Sequence, residues 1–329
     1  MPSVTFDLTI GPASGFTLSL VGGWRINQPY CKGGLAIDFA TMKCWTLGHA
    51  QTVPLIEYQL SAMGSGLDFA AYPQVNQTKS YGNCYTIDGW DYSVHGNQLY
   101  AGGLHWQDGL LWMSGKGFYS AGGSYPHTVV KKFSLGASAV LAETITISDR
   151  PCQAFGGGFV KGGAQVMPGC GGYESGQGCR SGPCWMQMDG TIVNEFPSFN
   201  AAKELREKRG ANYTPDNPDA WFVPPDDDVG YWFAGRVWGG GLVINGTTCF
   251  FVDQGTGPVG YSYQNDTFSA TPERMLYKYD GHFGTWEPFP HKTVSGSDIN
   301  GNLVYLLLRD AWVLGGYDPC PVLACFQVN

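Results

Sequence analysis

Short apolar runs, separated by glycine pairs and turn-forming residues, recur along the whole of this 329-residue chain. The clearest instance is GGLHWQDGLLWMSGKGFYS, residues 102–120. It reads as a strand, a tight turn at Asp108-Gly109 and a second strand that carries an aromatic residue. The same pattern opens at Gly33 (GGLAIDFATMKCWTLGHA) and at Gly240 (GGLVINGTTCFFVDQG). A looser copy begins at Gly156 (GGGFVKGG) and reaches its aromatic after an inserted loop, at GPCWMQMDG. The weakest is SGSDINGNLVYLLLRD, from Ser295.

With the second-strand aromatic as a ruler, Trp45, Trp112, Trp185, Phe250 and Tyr305 are spaced by 55 to 73 residues. The interval from Tyr305 back to Trp45 through the termini, 69 residues, is of the same size. Later strand-like runs complete each unit: PLIEYQLSA from Pro54, TVVKKFSLG from Thr128, RMLYKYDG from Arg274 and LACFQVN from Leu323. Small open sheets cannot bury both faces alone, and stacking them radially around an axis solves that problem. The glycine pairs at the start of the first strands suit crowding near such an axis.

The pattern therefore predicts an all-β chain folded as a single five-bladed β-propeller, one domain over 1–329. Its blades are expected near 33–62, 102–135, 156–190, 239–280 and 295–329, with N-terminal strands in 3–21 closing the ring. An insertion, a loop with a short helix at KELREKRG, is expected after the third blade over 194–229. Through these repeats the chain resembles five-bladed β-propellers in general. That resemblance implies glycan-cleaving enzymes, sugar-binding lectins or modules of bacteriophage tails and surfaces as the classes to weigh.

Composition narrows the choice. A net charge of −8 with a pI near 5.1 gives no attraction to a phosphate backbone, so nucleic acid is not an expected partner. No segment approaches the uncharged apolar length of a membrane span. The N-terminus does not read as a signal peptide, yet ten cysteines suit a final environment that is not strongly reducing. Two readings follow: a secreted chain whose signal was removed, or a protein made in a cytosol and used outside it, as virion proteins are.

Catalytic signatures are sparse. GxSxG, HExxH and P-loop motifs are missing. Glycoside cleavage needs two carboxyl groups, and Asp298 is the one acid within the five first-strand cores. Asp91 in TIDGWDYSVHG and Glu195 in the insertion complete the best catalytic set, Asp91, Glu195 and Asp298. The six histidines form no close ligand pair, and no metal or cofactor is expected; PPDDDVG at 224–230 offers calcium-type oxygens but lacks EF-hand spacing and reads as an exposed acidic turn. For Cys179 and Cys184 a loop disulfide is a better reading than zinc, and Cys320 with Cys325 forms a second candidate staple.

Aromatic side chains on glycine-flanked turns are the stronger signal. Tyr119, Tyr125 and Trp221, with Trp90 and Tyr92, can stack on sugar faces or anchor a protein interface. Weighed with the low charge and the carboxylate-poor axis, they lead to one expectation above the others. It is a non-catalytic structural or attachment module of a bacteriophage virion, extracellular, binding other virion subunits, itself or a host-surface glycan. The alternative is a secreted glycan-active hydrolase or lectin of propeller fold.

Overall fold

A computed structural model describes residues 8–9, 17–28, 34–48, 54–66, 71–83, 99–117, 127–151, 159–170, 184–189, 191–195, 238–252, 261–264, 274–275, 293–309 and 321–329. The described residues form strands joined by turns and bends, with no α-helix among them, and none is part of a helix able to cross a membrane. The short helix expected at 203–210 lies outside the described residues.

The chain begins with β1 (Leu8–Thr9) and β2 (Thr17–Ile26). The next sheet takes β3 (Leu35–Asp38), β4 (Lys43–Leu47) and β5 (Pro54–Gln59); β6 (Gln74–Val75) runs parallel to β2 instead, and β7 (Gln77–Asn83) completes the order β3-β4-β5-β7. A plain antiparallel meander follows, β8 (Leu99–Gln107), β9 (Leu110–Gly117), β10 (His127–Leu135) and β11 (Ala139–Pro151). Two further antiparallel sets come next. They are β12 (Phe159–Lys161), β13 (Met167–Cys170), β14 (Cys184–Met186), β15 (Ile192–Glu195), and β16 (Trp238–Ile244), β17 (Thr247–Val252), β18 (Tyr261–Gln264), β19 (Arg274–Met275). Parallel pairing of β12 with β16 joins them into one eight-stranded sheet. Finally β20 (Thr293–Asn300), β21 (Leu303–Arg309) and β22 (Val322–Val328) pair in order, and β2 adds to the far edge of β22.

The leading strands touch in sequence: β3 meets β8, β8 meets β12, β12 meets β16, β16 meets β20, and β20 returns to β3. This is a β-propeller, and the all-β expectation holds. The packing explains why several strands are apolar at every position instead of alternating. On β21, Val304, Leu306 and Leu308 pack with Val322, Ala324 and Phe326 against Leu242 and Ile244 of β16. The intervening Tyr305 and Leu307 join Leu323 and Cys325 on the other face, against Leu35, Ile37 and Tyr58. A strand covered on both faces has no solvent side to be polar on. The next seam repeats the arrangement, with Ala36, Trp45 and Leu55 against Leu104, Leu111 and Phe133, and Trp45 stacked on Trp106 at 4.5 Å between ring centres.

Register clarifies the aromatic ruler. Trp45, Trp112 and Tyr305 face Ala36, His105 and Asp298, the equivalent place on each first strand, whereas Phe250 faces Gly241 two places earlier. Trp185 is a correction: it sits on β14, the third strand of its set, because β13 is the second. The stretch from 171 to 183 joins second strand to third and does not interrupt the first hairpin.

Candidate functional site

Where the leading strands converge, backbone approaches backbone. A Cβ on Gly296 would stand 2.7 Å from both the Cβ and the backbone nitrogen of Leu35, and one on Gly34 would stand 2.9 Å from Leu104 Cγ. Only glycine fits such a crossing without displacing a neighbouring strand. Lys161 of β12 reaches into this convergence.

The Lys161 ammonium, 3% exposed, donates to Leu35 O at 2.5 Å, Ser297 O at 2.8 Å and Asp298 Oδ2 at 3.1 Å. One cation thus ties three leading strands, β12, β3 and β20. Asp298, equally buried, also accepts from Ile37 N through Oδ2 and Ile299 N through Oδ1, each at 3.0 Å. Burial presses the carboxyl upward and the ammonium downward from their ordinary ranges, and each charge opposes its partner's shift. Beside this pair, burial and the Lys161 charge bring the His105 imidazole down to about 3, partly offset by the Gln107 hydrogen bond.

Asp298 therefore serves the framework: its oxygens are engaged by a lysine and two backbone amides. The structure separates Glu195 from Asp298. Asp298 lies close to the tight turn Gly301-Asn302, while Glu195 is the last residue of β15, at the opposite end of the sheets. Asp91 lies outside the described residues, as do Trp90, Tyr92, Tyr119, Tyr125, Trp221, Cys179, Cys320 and the acidic stretch 224–230. Cys184 begins β14 opposite Glu195. Cys325 is a correction: its thiol is free, fully buried in the core beside Tyr305 and pushed up to about 11 by burial, so it does not form the expected staple with Cys320.

Two polar groups that sequence reasoning passed over are also structural. Glu57 accepts from Tyr81 Oη at 2.8 Å and Trp45 Nε1 at 3.2 Å and pairs with Lys43 at 3.2 Å. Gln28 Oε1 accepts from Tyr58 Oη at 2.6 Å and Thr46 Oγ1 at 2.8 Å. The signal for Lys161 was present, since a lone cation in the apolar run GGGFVKGG demands a buried partner.

The two ends of the sheets differ. At one end most links are tight, among them Asp108-Gly109, Gly136 to Ser138, Gly162 to Val166, Asn245-Gly246 and Gly301-Asn302, while the links from β5 to β7 (60–76) and from β18 to β19 (265–273) are longer. Asp108 and Gly109 both have positive φ, 54° and 77°, as do Asn245 and Gly246, the geometry of a two-residue hairpin turn. The links that leave the other end run over 84–98, 118–126, 152–158, 171–183, 196–237, 276–292 and 310–320, with the shorter 48–53 and 253–260 beside them. β15 ends there with Glu195, and the strands that flank the sequence stretches bearing Asp91, Tyr119, Tyr125 and Trp221 begin or end there.

No family model matches the sequence, and no curated protein does. Among solved structures, the chain is similar to a PQQ-bound aldose sugar dehydrogenase from Streptomyces coelicolor, with 12% identity, a TM-score of 0.46 and coverage of 97% of this chain and 100% of that one. It is similar to Bacillus subtilis levansucrase solved with oligosaccharides, at 10% identity, TM-score 0.40, covering 94% and 82%. A GH43 endo-arabinanase from Bacillus licheniformis gives 11% identity, TM-score 0.41, covering 93% and 96%. What these share with the chain is the propeller fold. All three are enzymes named for sugars or glycans, and the expectation of a non-catalytic virion or attachment module is corrected to this extent, that it has no counterpart among them.

Proposed function

We propose that this protein is a glycan-active enzyme, a glycoside hydrolase in reaction class, whose site lies at the end of the propeller that carries the long connections. The observation that supports this reading is that most tight turns lie at one end of the sheets, while the links at the other end include the longest, 196–237. Rigid strands hold the long segments, which is how propellers and other scaffolds present binding groups. Those segments carry the carboxylate Asp91 and the rings Trp90, Tyr92, Tyr119, Tyr125 and Trp221, and Glu195 ends the strand that leads into the longest of them. The five antiparallel sets are read as five blades of one closed ring, supported by the cyclic contacts of their leading strands.

In the proposed reaction one carboxylic acid, Asp91 or Glu195, gives its proton to the glycosidic oxygen as the bond to the anomeric carbon breaks. The other, ionised, attacks that carbon or takes a proton from the attacking water. The aromatic rings stack on the apolar faces of the sugar. Asp298 has no part in it, because Lys161 and the Ile37 and Ile299 amides already hold its oxygens.

The test is release of reducing ends from a panel of α- and β-linked polysaccharides by the wild-type protein, Asp91→Asn and Glu195→Gln. Loss of on the order of a hundredfold or more in turnover, with the melting temperature unchanged, is the expected result. Cleavage that survives both substitutions, or no cleavage of any polysaccharide, would overturn the reading.

A further inference from the structure

Five cysteines fall among the described residues: Cys44, Cys170, Cys184, Cys249 and Cys325. Register separates them. Cys44 stands opposite Ile37 and Tyr58, Cys249 opposite Leu242 and Ser262, and Cys325 opposite Gly22 and Tyr305. Cys170, the last residue of β13, stands opposite Cys184, the first of β14. Here alone among the described residues, one cysteine is the ladder partner of another.

Partners across an antiparallel ladder lie on the same face of the sheet, with Cα atoms about 4.5 or about 5.5 Å apart according to the type of pair. A disulfide spans Cα separations of about 4.4 to 6.8 Å. Either type of pair therefore places two cysteines within bridging range. Distance along the chain points elsewhere, since Cys179 is five residues from Cys184 and Cys170 is fourteen. A ladder, however, fixes the relative position of its partners before any covalent bond forms, and closeness in sequence does not.

We propose that Cys170 and Cys184 form a disulfide that closes the link 171–183 at its base. The bond takes two electrons from the cysteines, and a small-molecule disulfide such as oxidised glutathione accepts them. One cysteine thiolate attacks that disulfide and releases one glutathione thiol; the second attacks the mixed disulfide and releases the other. Each cysteine gives up one proton, and the two released thiols carry them. The bridge fastens both ends of a glycine-rich link and removes freedom that this stretch would have in the unfolded chain. Cys184 is also the partner of Glu195, so Cys170, Cys184 and Glu195 form one row across β13, β14 and β15. The disulfide thus braces the strand end that carries Glu195, yet its existence does not depend on the hydrolase reading.

The intact protein is equilibrated with oxidised glutathione, its remaining thiols are blocked with N-ethylmaleimide, and it is digested with trypsin and a glutamate-specific protease. Cleavage after Lys161, Glu174, Arg180 and Glu195 puts Cys170, Cys179 and Cys184 on three separate peptides. Mass spectrometry should find peptides 162–174 and 181–195 joined, and should find them separate after reduction with a phosphine. Cys179→Ser should leave the joined species at its wild-type yield. Cys184 bound to Cys179, bound to any other cysteine or carrying maleimide overturns the proposal, as does loss of the joined species in Cys179→Ser. Glycan cleavage is assayed on the same oxidised sample. A joined pair with no cleavage ends the hydrolase reading alone, and cleavage with Cys184 unbridged to Cys170 ends the disulfide alone.

Discussion

Acidification from pH 7.5 to pH 5.0 should cost the folded protein about 2 kcal/mol through His105 alone. Burial, with help from the Lys161 charge, holds the folded imidazole at about 3, below its ordinary value of 6.5. A depressed histidine binds its proton more weakly folded than unfolded, so its contribution is fully present above the unfolded value and is lost as pH falls toward the folded one. At pH 5.0 the unfolded ring is almost wholly protonated and the folded ring almost wholly neutral. The loss is therefore set by the gap of about 1.5 pH units to the unfolded value, at about 1.36 kcal/mol per unit. Because pH 5.0 stands well above the folded value, protonation of the folded ring adds little to the figure. Urea unfolding followed by tryptophan fluorescence at the two pH values, on the wild type and on His105→Gln, isolates the effect, since every other titrating group is common to both. The substitution should remove about 2 kcal/mol of the pH dependence. Equal pH dependence in the two proteins, within about 0.5 kcal/mol, would refute the argument.

The Lys161–Asp298 pair gives a second test. Lys161→Met leaves a buried carboxylate and Asp298→Asn a buried ammonium, so each should cost on the order of 3–5 kcal/mol; the double variant should recover much of that, and additive losses in urea unfolding would show that the pair is not coupled. Gly296→Ala drives a Cβ to 2.7 Å from the backbone nitrogen of Leu35 and should cost about 1–3 kcal/mol, whereas Gly136→Ala meets nothing within 4 Å and should fall within about 0.5 kcal/mol of wild type. A Gly296→Ala protein as stable as the Gly136→Ala one would contradict the close strand approach.

Much of the fold was legible because its signals are local. Asp108-Gly109 adopts the positive φ values that its residue types favour, and Trp45, Trp112 and Tyr305 occupy one repeated position opposite the first strand. The third set was misjudged at Trp185, because a long link between second and third strands looks the same in sequence as an insertion in the first hairpin. The candidate site was less legible. Asp298 was singled out as an acid on a leading strand, but its role depends on Lys161, which is 137 residues away in the chain.

The sequence by itself determined the alternation of apolar runs and turns, the glycines where strands converge and the aromatic residues that pack sheet on sheet. Those properties reside in single residues and short windows, through backbone freedom, turn geometry and side-chain size. Tertiary structure alone decided that a lysine from one strand would be enclosed by a carboxylate and two carbonyls of two others. It also decided that His105 would be neutral in a polar seam and Cys325 a free thiol in the core. The cost of burying a charge, and the ring's loss of its proton, depend on which distant groups arrive beside it.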